Sequence, residues 1–514
     1  MTDEGTPALV HLSTRPRVAA IVLNSVSHDT RVLKEAASLQ AAGYEVTIFG
    51  LQDNRCNEPL TVFPNGVRVV RCAWRADSYR LLARLIVVVG VFVAAAIGAS
   101  FVIPSASILA SIKSLLSVPM AQLVLLNVAG VTAIAILVGV LLIKPFRRLM
   151  QIARRYQAME GEPVAAKTAR RWSLWGAVIN PLSRRVGHWV QSRKIRDSIR
   201  SFEPDVVHCH DLNALPIGSA YVGRHGGRLV YDSHEIYEAV SSMKPWNRRW
   251  LEIKQRHYSR RVELFITIND SIAEYLNRKY PKLPTAVVVK NAAPAPKEPI
   301  HDDGRLHAAA NLDPQTRILL YQGGFARHRG LSILLKAAPL LPDGWALVMM
   351  GWGAIESELR SLAAKIDPEG LRIRFIPGAP LEELPQWTAG ASLGVIPYEN
   401  VCLNHWFCTP NKLWEYPIAN VPILASPFPE LRRVIETYDI GVLMSDPITP
   451  ESIAGAVVSM NDAEFARLRM NCTRFTAEDH WNRYGRILVK AYHELIGANA
   501  SSQVNFSAES PTTV

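Results

Sequence analysis

Two long apolar runs interrupt a chain that otherwise alternates strand and helix patterns. Leu85 to Ile103 carries no charge over 19 residues, and Ser114 to Ile143 carries none over 30. A helix crossing a bilayer needs roughly 20 apolar residues at about 1.5 Å each, so both runs are long enough. Two buried core helices are the alternative, but core helices of this length normally keep a polar face. A hairpin of two apolar helices is expected at 81–143, either crossing a membrane or re-entering it from one side.

The charge supports that reading. Between Lys144 and Arg200 stand fourteen Lys and Arg against three acidic residues, nearly the whole net charge of +12. A nucleic-acid footprint would also be basic. This block starts at the end of an apolar run, so an anionic membrane surface is the expected partner, and nucleic acid is not. Trp172, Trp175 and Trp189 lie among these basic residues, a mixture that suits an interfacial zone or plain packing on the domain. Arg75, Arg80 and Arg84 precede the first run and Lys144, Arg147 and Arg148 follow the second, whereas the connection Pro104 to Pro119 carries only Lys113. The positive-inside rule then places both flanks in the cytoplasm, at the inner membrane. The polar N-terminus reads as no signal peptide, and the six cysteines form no C-x-x-C pair, so free thiols are expected.

On both sides of the hairpin the pattern is β-α-β. Val18–Leu23 reads as a strand, His28 to Ala42 as a helix ending at Gly43, Glu45–Phe49 and Val67–Val70 as strands. The pattern resumes at Asp205–Cys209, Arg228–Tyr231, Leu264–Ile268 and Ala286–Val289. After the proline-rich stretch Asn291–Pro299, further strands are expected at Arg317–Tyr321, Ala346–Met350, Ile373–Ile376, Leu393–Ile396 and Ile423–Ala425, with a last helix over Asp479–Ile496. The expected organisation is a first α/β domain split into 1–80 and 201–290, the hairpin at 81–143 and a basic interfacial segment at 144–200. A linker follows at 291–315, then a second Rossmann-like domain at 316–478, a C-terminal helix at 479–497 and a disordered tail at 498–514. Ligands of open parallel sheets bind beyond the carboxyl ends of the strands. No G-x-G-x-x-G follows the first strand, which argues against a dinucleotide cofactor.

Two segments carry chemistry. In Cys408-Thr-Pro-Asn-Lys-Leu-Trp-Glu-Tyr416, Thr409 reads as an N-cap and Pro410 as the first helical residue. The helix start with Asn411 and Lys412 suits a diphosphate, and Glu415 a ribose. In Leu320-Tyr-Gln-Gly-Gly-Phe-Ala-Arg-His-Arg-Gly330, Gly323 and Gly324 permit close backbone approach, and Arg327 and Arg329 can neutralise phosphate. His208 and His210 share one face at a strand end, either as lining residues or as a metal pair lacking a third ligand. Asp29 and Arg31 sit at the first helix start, where Arg31 suits either an acceptor phosphate or a structural salt bridge. Asn269 and Asp270 read as a helix cap.

These segments, with Ser27-His-Asp-Thr-Arg-Val-Leu-Lys-Glu35, Gly43-Tyr-Glu-Val46, Pro204-Asp-Val-Val-His-Cys-His-Asp211 and Tyr231-Asp-Ser-His-Glu235, resemble glycosyltransferase family 4 over roughly residues 17–75 and 200–480. The resemblance implies the GT-B fold of two facing Rossmann-like domains and transfer of a sugar from a nucleotide diphosphate with retention, without cofactor or metal. The absence of any D-x-D pair agrees with a metal-free site. By resemblance Arg329 takes the place of a phosphate-binding lysine, Glu415 that of the ribose-binding glutamate, and His234 that of the histidine beside the reacting sugar. His210, Asp29 and Arg31 fall on the acceptor side. Two positions depart from the family pattern: Phe407 stands where many members have a glutamate, and Gly324 where many have an arginine, a charge Arg327 is placed to supply. The hairpin points to a lipid-linked acceptor, a polyprenyl-diphosphate saccharide being the natural choice. An inactive membrane scaffold and a nucleotide-sugar epimerase are the competing readings.

Overall fold

The computed structural model describes residues 15–27, 29–53, 56–88, 90, 92, 146–147, 149–151, 174–240, 243–296 and 298–497. The chain divides into two compact units, one of residues 1–20, 30–46 and 205–514, the other of residues 21–29 and 47–204.

Fourteen strands form two sheets among the described residues. The first holds β1 (Arg17–Ile21), β2 (Glu45–Leu51), β3 (Leu60–Val62), β4 (Arg68–Cys72), β5 (Val206–His210), β6 (Arg228–Ser233), β7 (Leu264–Thr267) and β8 (Val287–Val288), in the order β3-β4-β2-β1-β5-β6-β7-β8. The pairs β2–β4, β5–β6, β6–β7 and β7–β8 are parallel, and only β3 against β4 is recorded antiparallel. The second sheet holds β9 (Arg317–Gly324), β10 (Trp345–Trp352), β11 (Ile373–Ile376), β12 (Leu393–Ile396), β13 (Ile423–Ala425) and β14 (Gly441–Leu443), in the order β11-β10-β9-β12-β13-β14 and parallel throughout. Strand order reverses direction at β1/β5 in one sheet and at β9/β12 in the other, the places where such sheets bind ligands.

Central strands are apolar on both faces because helices cover both. β5, Val-Val-His-Cys-His, is buried at all five positions. Around β9 and β10 a core of Tyr321, Phe325, Leu331, Leu347 and Met349 is closed by Ile453 and Leu468. Eight helices matter below: α1 (Thr30–Ala41), α2 (Leu174–Phe202), α3 (Asp211–His225), α4 (Pro245–Tyr258), α5 (Asp270–Lys279), α6 (Glu356–Ile366), α7 (Lys412–Ile418) and α8 (Trp481–Ile496). The chain's last helix returns to its first: α8 packs on α1, and Trp481 Nε1 donates to Ser38 Oγ at 3.0 Å. All six cysteines are free.

In the second unit, residues 75–88 are helical, and a small core of Leu82, Ala83, Leu149, Val186 and Val190 joins that stretch to α2. Gly187 of α2 is where a Cβ would stand only 3.2 Å from the Trp74 ring. Between the two lies a cavity of about 330 Å³ lined by Trp74, Arg75, Tyr79, Arg184 and His188.

Most expected strands fall within two residues of the observed ones. Four differences have clear causes. β3 and β14 lie at sheet edges, and β3 alternates exposed and half-buried residues, so neither gives an apolar run. The expected linker 291–315 contains a short helix, Arg305–Ala310. The helix expected from Pro410 begins at Lys412, with Asn411 as cap in right-handed conformation, and Thr409 is held elsewhere. The hairpin and the tail lie outside the described residues, apart from 81–88, 90 and 92. Among the described residues no helix is long and apolar enough to cross a membrane.

Candidate functional site

The β1/β5 switch point assembles a buried ion network, all of it within the first unit. β5 places His208 and His210 two residues apart, hence on one face, with rings stacked at 4.2 Å between centroids. β6 brings Asp232 beside them, and His234 follows just past its end. Arg31, in the first turn of α1, grips Asp232 with two parallel bonds, Nε to Oδ2 and Nη2 to Oδ1, both 3.0 Å. Its Nη1 donates to the Val289 carbonyl at 2.7 Å, and its Nη2 lies 2.9 Å from Glu35 Oε1, one turn along the helix. Arg31 is thus the counter-ion of Asp232, the salt-bridge alternative of the two the sequence left open.

The electrostatics follow from burial and pairing. Burial opposes charge on Asp232, yet Arg31 and the histidines outweigh it and hold its carboxyl well below the usual range. His234 Nε2 lies 2.7 Å from Asp232 Oδ2 and its Nδ1 3.5 Å from Asp211 Oδ1. Burial works against its charge, but Asp232 and Asp211 raise its pKa to about 9, so the ring is an imidazolium at neutral pH. His234 remains one-fifth exposed, while Asp232 is fully buried. Asp211 pays a conformational cost for this position, a left-handed φ of 69° at a non-glycine residue. Burial pushes Glu35 up to about 7 against the pull of Arg31, and drives His208 well below its ordinary value. His208 Nδ1 pairs with the Tyr492 hydroxyl of α8 at 2.8 Å.

The fold supplies here what the sequence did not reveal, carboxylates beside the His208/His210 pair. One ligand atom each from Glu35, His208, His210 and Asp232 lies within 4.8 Å of the others, and Glu35 Oε2, His208 Nε2 and His210 Nδ1 make no hydrogen bond. Arg31 already supplies positive charge to both carboxylates, and both Asp232 oxygens are engaged. The set therefore reads as an ion network around a fixed guanidinium.

The second half of the site gathers where β9 ends. Gly323 has φ 112°, and a Cβ there would stand 3.1 Å from Lys412 Nζ. Gly330 has φ 68°, and its Cβ would fall 1.8 Å from the Pro397 carbonyl oxygen, so the loop from Phe325 turns back against the end of β12. Arg329 lies over the buried Tyr398 ring at 4.1 Å, and Lys412 lies 5.2 Å from the Tyr321 ring centroid. Two cations thus lie against aromatic faces beside the strand end, with Arg329 also within reach of the field of the Glu235 carboxyl. Glu415 accepts from Gln322 Nε2 at 3.0 Å, and Gln322 is fixed in turn by Thr388 Oγ1 at 2.8 Å. Arg327 is different. It is 69% exposed and ion-paired to Glu358 of α6 at 2.9 Å. Asn411 Oδ1 accepts from Asn291 Nδ2 at 2.9 Å. Asp29 belongs to the second unit, where its carboxylate accepts from Asn24 Nδ2 at 2.8 Å.

Groups that follow β6 and β7 meet the second half directly, inside the same unit. Asn269 caps α5, its Oδ1 accepting from Ile272 N, and its Nδ2 donates to the Phe407 carbonyl at 2.7 Å and to Thr409 Oγ1 at 3.3 Å. Position 407 thus serves through its backbone. The Ile236 amide donates to Asn404 Oδ1 at 3.0 Å. Burial raises the Glu235 carboxyl, further lifted by Asp211, while His234, Asn404 and Arg329 act on it in the opposite sense. Lys34 donates to the Ala292 carbonyl at 2.6 Å and sits 4.6 Å over the Trp481 ring. Burial, then Arg31, lowers it to about 7, with Glu35 and Glu415 pulling the other way. Glu35, Asp232 and Glu235 all lie in motifs that the sequence singled out. Their partners are up to two hundred residues away, which is why no role could be read for them.

Residues 152–292 match glycosyltransferase family 4, and residues 316–462 match the glycosyl transferases group 1. No curated protein matches the chain. Among solved structures it is similar to sucrose-phosphate synthase from Thermosynechococcus elongatus, with TM-score 0.61 and 14% identity, covering 94% of this chain and 100% of that one. It is also similar to Anabaena HepE in complex with UDP-glucose, with TM-score 0.56 and 11% identity over 93% and 100%. A third is WaaG, a glycosyltransferase involved in lipopolysaccharide biosynthesis, with TM-score 0.52 and 10% identity over 93% and 100%. At these identities the structural likeness shows the fold, which is of the two-domain GT-B type.

Proposed function

We propose that this glycosyltransferase, of the family 4 and group 1 type, moves a sugar from a nucleotide diphosphate to a lipid-linked acceptor at the cytoplasmic face of the inner membrane. The observation that carries the donor reading is the pair of cations Arg329 and Lys412, stacked on aromatic rings beside the Gly323–Gly324 strand end, with Glu415 next to them. Arg329, Lys412 and the strand-end backbone receive the diphosphate, and Glu415 the ribose hydroxyls. His234 stands at the reacting sugar as an imidazolium held by Asp232 and Asp211. Preorganised positive charge of this kind stabilises a departing diphosphate without a metal ion. Transfer proceeds with retention, as the family resemblance implies. HepE, solved with UDP-glucose, supports a nucleotide-sugar donor.

Several features support a membrane acceptor. The described start of the first apolar run already exposes Val88 at 49% and Phe92 at 72%. On α2 Trp189 is half exposed with Arg193 over its ring at 5.6 Å. The cavity at Trp74 offers two arginines and a histidine, chemistry that suits a lipid phosphate. The full chain, reconstituted in lipid, should transfer labelled sugar to a polyprenyl-diphosphate saccharide and not to the same saccharide without its lipid; equal transfer to both would overturn the acceptor reading. Phe407 in place of the family glutamate favours one second reading, an inactive scaffold. Calorimetry with a panel of nucleotide sugars separates the two, since a scaffold of this kind binds none.

A further inference from the structure

Helix α4 carries an unexplained stripe. Trp246 is 68% exposed, Trp250 65% and Ile253 48%. The spacing of four and three residues puts them on one face of the helix, with exposed His257 next in line. On the opposite face Gln255 is buried, and at the flank of the stripe Lys254 reaches Asn213 Oδ1 of α3 at 3.3 Å. Two largely exposed tryptophans one turn apart gain nothing from the domain they belong to. Their surroundings are basic. Arg249 and Arg256 are exposed along one edge of the stripe, and Lys244 and Arg248 are exposed at the start of the helix. The one acid of the helix, Glu252, bonds Lys279 of α5 at 2.9 Å and lies 3.6 Å from Arg249, whose side chain stays three-quarters exposed.

We propose that α4 is a membrane-docking helix that lays Trp246, Trp250 and Ile253 into the interface of an anionic bilayer while Arg249 and Arg256 engage lipid phosphates. Indole rings favour the headgroup boundary, where the apolar body is buried and the N–H stays wet. Arginine and lysine around such a stripe match an anionic leaflet, each adding to its attraction. A neutral protein partner would not need that edge of charge. The helix is also well placed for the chemistry. It packs on Tyr237–Ala239, three residues beyond His234, and on α3, whose first residue Asp211 pairs with His234. Docking α4 therefore fixes the acceptor side of the site against the surface from which a lipid-linked acceptor arrives. The inference deepens the membrane reading given above and rests on it, but through residues outside the apolar runs.

The test uses the full chain in vesicles of phosphatidylglycerol and phosphatidylcholine with brominated acyl chains. Subtracting the emission of the Trp246→Phe, Trp250→Phe double variant from that of the parent isolates these two indoles among the twelve. The difference emission should fall at least twofold in brominated vesicles relative to unbrominated ones, and should recover when Arg249→Glu and Arg256→Glu are added. Equal emission in both vesicles, with the protein still vesicle-bound, overturns the docking of α4 and leaves the membrane reading intact. Protein that fails to associate with vesicles overturns both. In detergent-free buffer, acrylamide should quench the same difference emission; shielding there would show that another part of the chain or a second copy covers the stripe, and would overturn the proposal.

Discussion

Asp232 is the residue on which the network at the β1/β5 switch point turns, because it is the buried negative charge that both Arg31 and His234 answer. Replacing one member of such a group strands the others. Asp232→Asn should cost about 3–5 kcal/mol of stability, read as a drop in the unfolding midpoint, because Arg31 is left buried beside Glu35 alone. The His234 imidazolium gives a pH signature. Its pKa of about 9 lies above the ordinary 6.5, so its stabilisation is complete below pH 6.5 and is lost as pH rises through 9. The shift corresponds to about 3 kcal/mol at most. Lys34, lowered to about 7, works in the opposite sense across part of that window. The proper readout is thus the stability difference between the parent and His234→Gln, which should be present at pH 6 and gone by pH 10. On the half proposed to bind the donor, Arg329→Ala and Glu415→Ala should each weaken nucleotide-sugar binding by about 1.5–3 kcal/mol, ten- to a hundredfold by calorimetry, since each removes a charged partner. Arg327→Ala, paired with Glu358 at the surface, should change it little. His234, Arg329, Lys412 and Glu415, the residues proposed for the site, could be named from their motifs. The Arg31–Asp232 fork was not, because its two ends are 201 residues apart and only the folded sheet makes them neighbours.

At the scale of elements, a strand could be read from the sequence where it is central and apolar, and not where it is an edge. β11, β12 and β13 match their expected bounds because each is a short apolar run between turn residues. β3 was hidden because its Leu60-Thr-Val62 pairs only with β4 and leaves Leu60 and Val62 half exposed. The donor-side loop shows how little backbone freedom such a junction has. At Gly330 the left-handed φ of 68° and the Pro397 oxygen both exclude a side chain. Gly330→Ala should therefore lose about 3 kcal/mol of stability and carry Arg329 away from Tyr398, which binding and thermal unfolding would report together. Gly324→Ala, with open space around its Cβ position, should do neither. The start of α7 was misplaced by two residues, since Thr409 looked like a cap but is held by Asn269 instead, a contact 140 residues long. Local capping rules do not see such a competitor.

Across the whole molecule, the two-sheet α/β organisation was legible because a parallel sheet demands buried, apolar central strands, and these repeat on both sides of the interruption. The apolar runs were legible for a different reason, since an uncharged stretch of 30 residues is a statement of composition alone. The two signals make separable demands. Every residue assigned to donor binding lies between Gly323 and Glu415, and the network that holds His234 draws on Arg31, Asp211 and Asp232, all within the first compact unit. Residues 85–143 contribute none of them. Replacing 85–143 by a short flexible linker should accordingly leave nucleotide-sugar affinity within about twofold of the parent, because the ion network and the Arg329–Tyr398 stack depend on neither run. Transfer to a lipid-linked acceptor in vesicles should fall at least tenfold, since the acceptor is confined to a surface that the shortened chain must find by diffusion. The α4 stripe, still present, should preserve part of that activity in anionic vesicles and none in zwitterionic ones. Loss of donor affinity on the same deletion would mean that the apolar segment is part of the catalytic fold, and full transfer in both kinds of vesicle would mean that the acceptor needs no membrane at all.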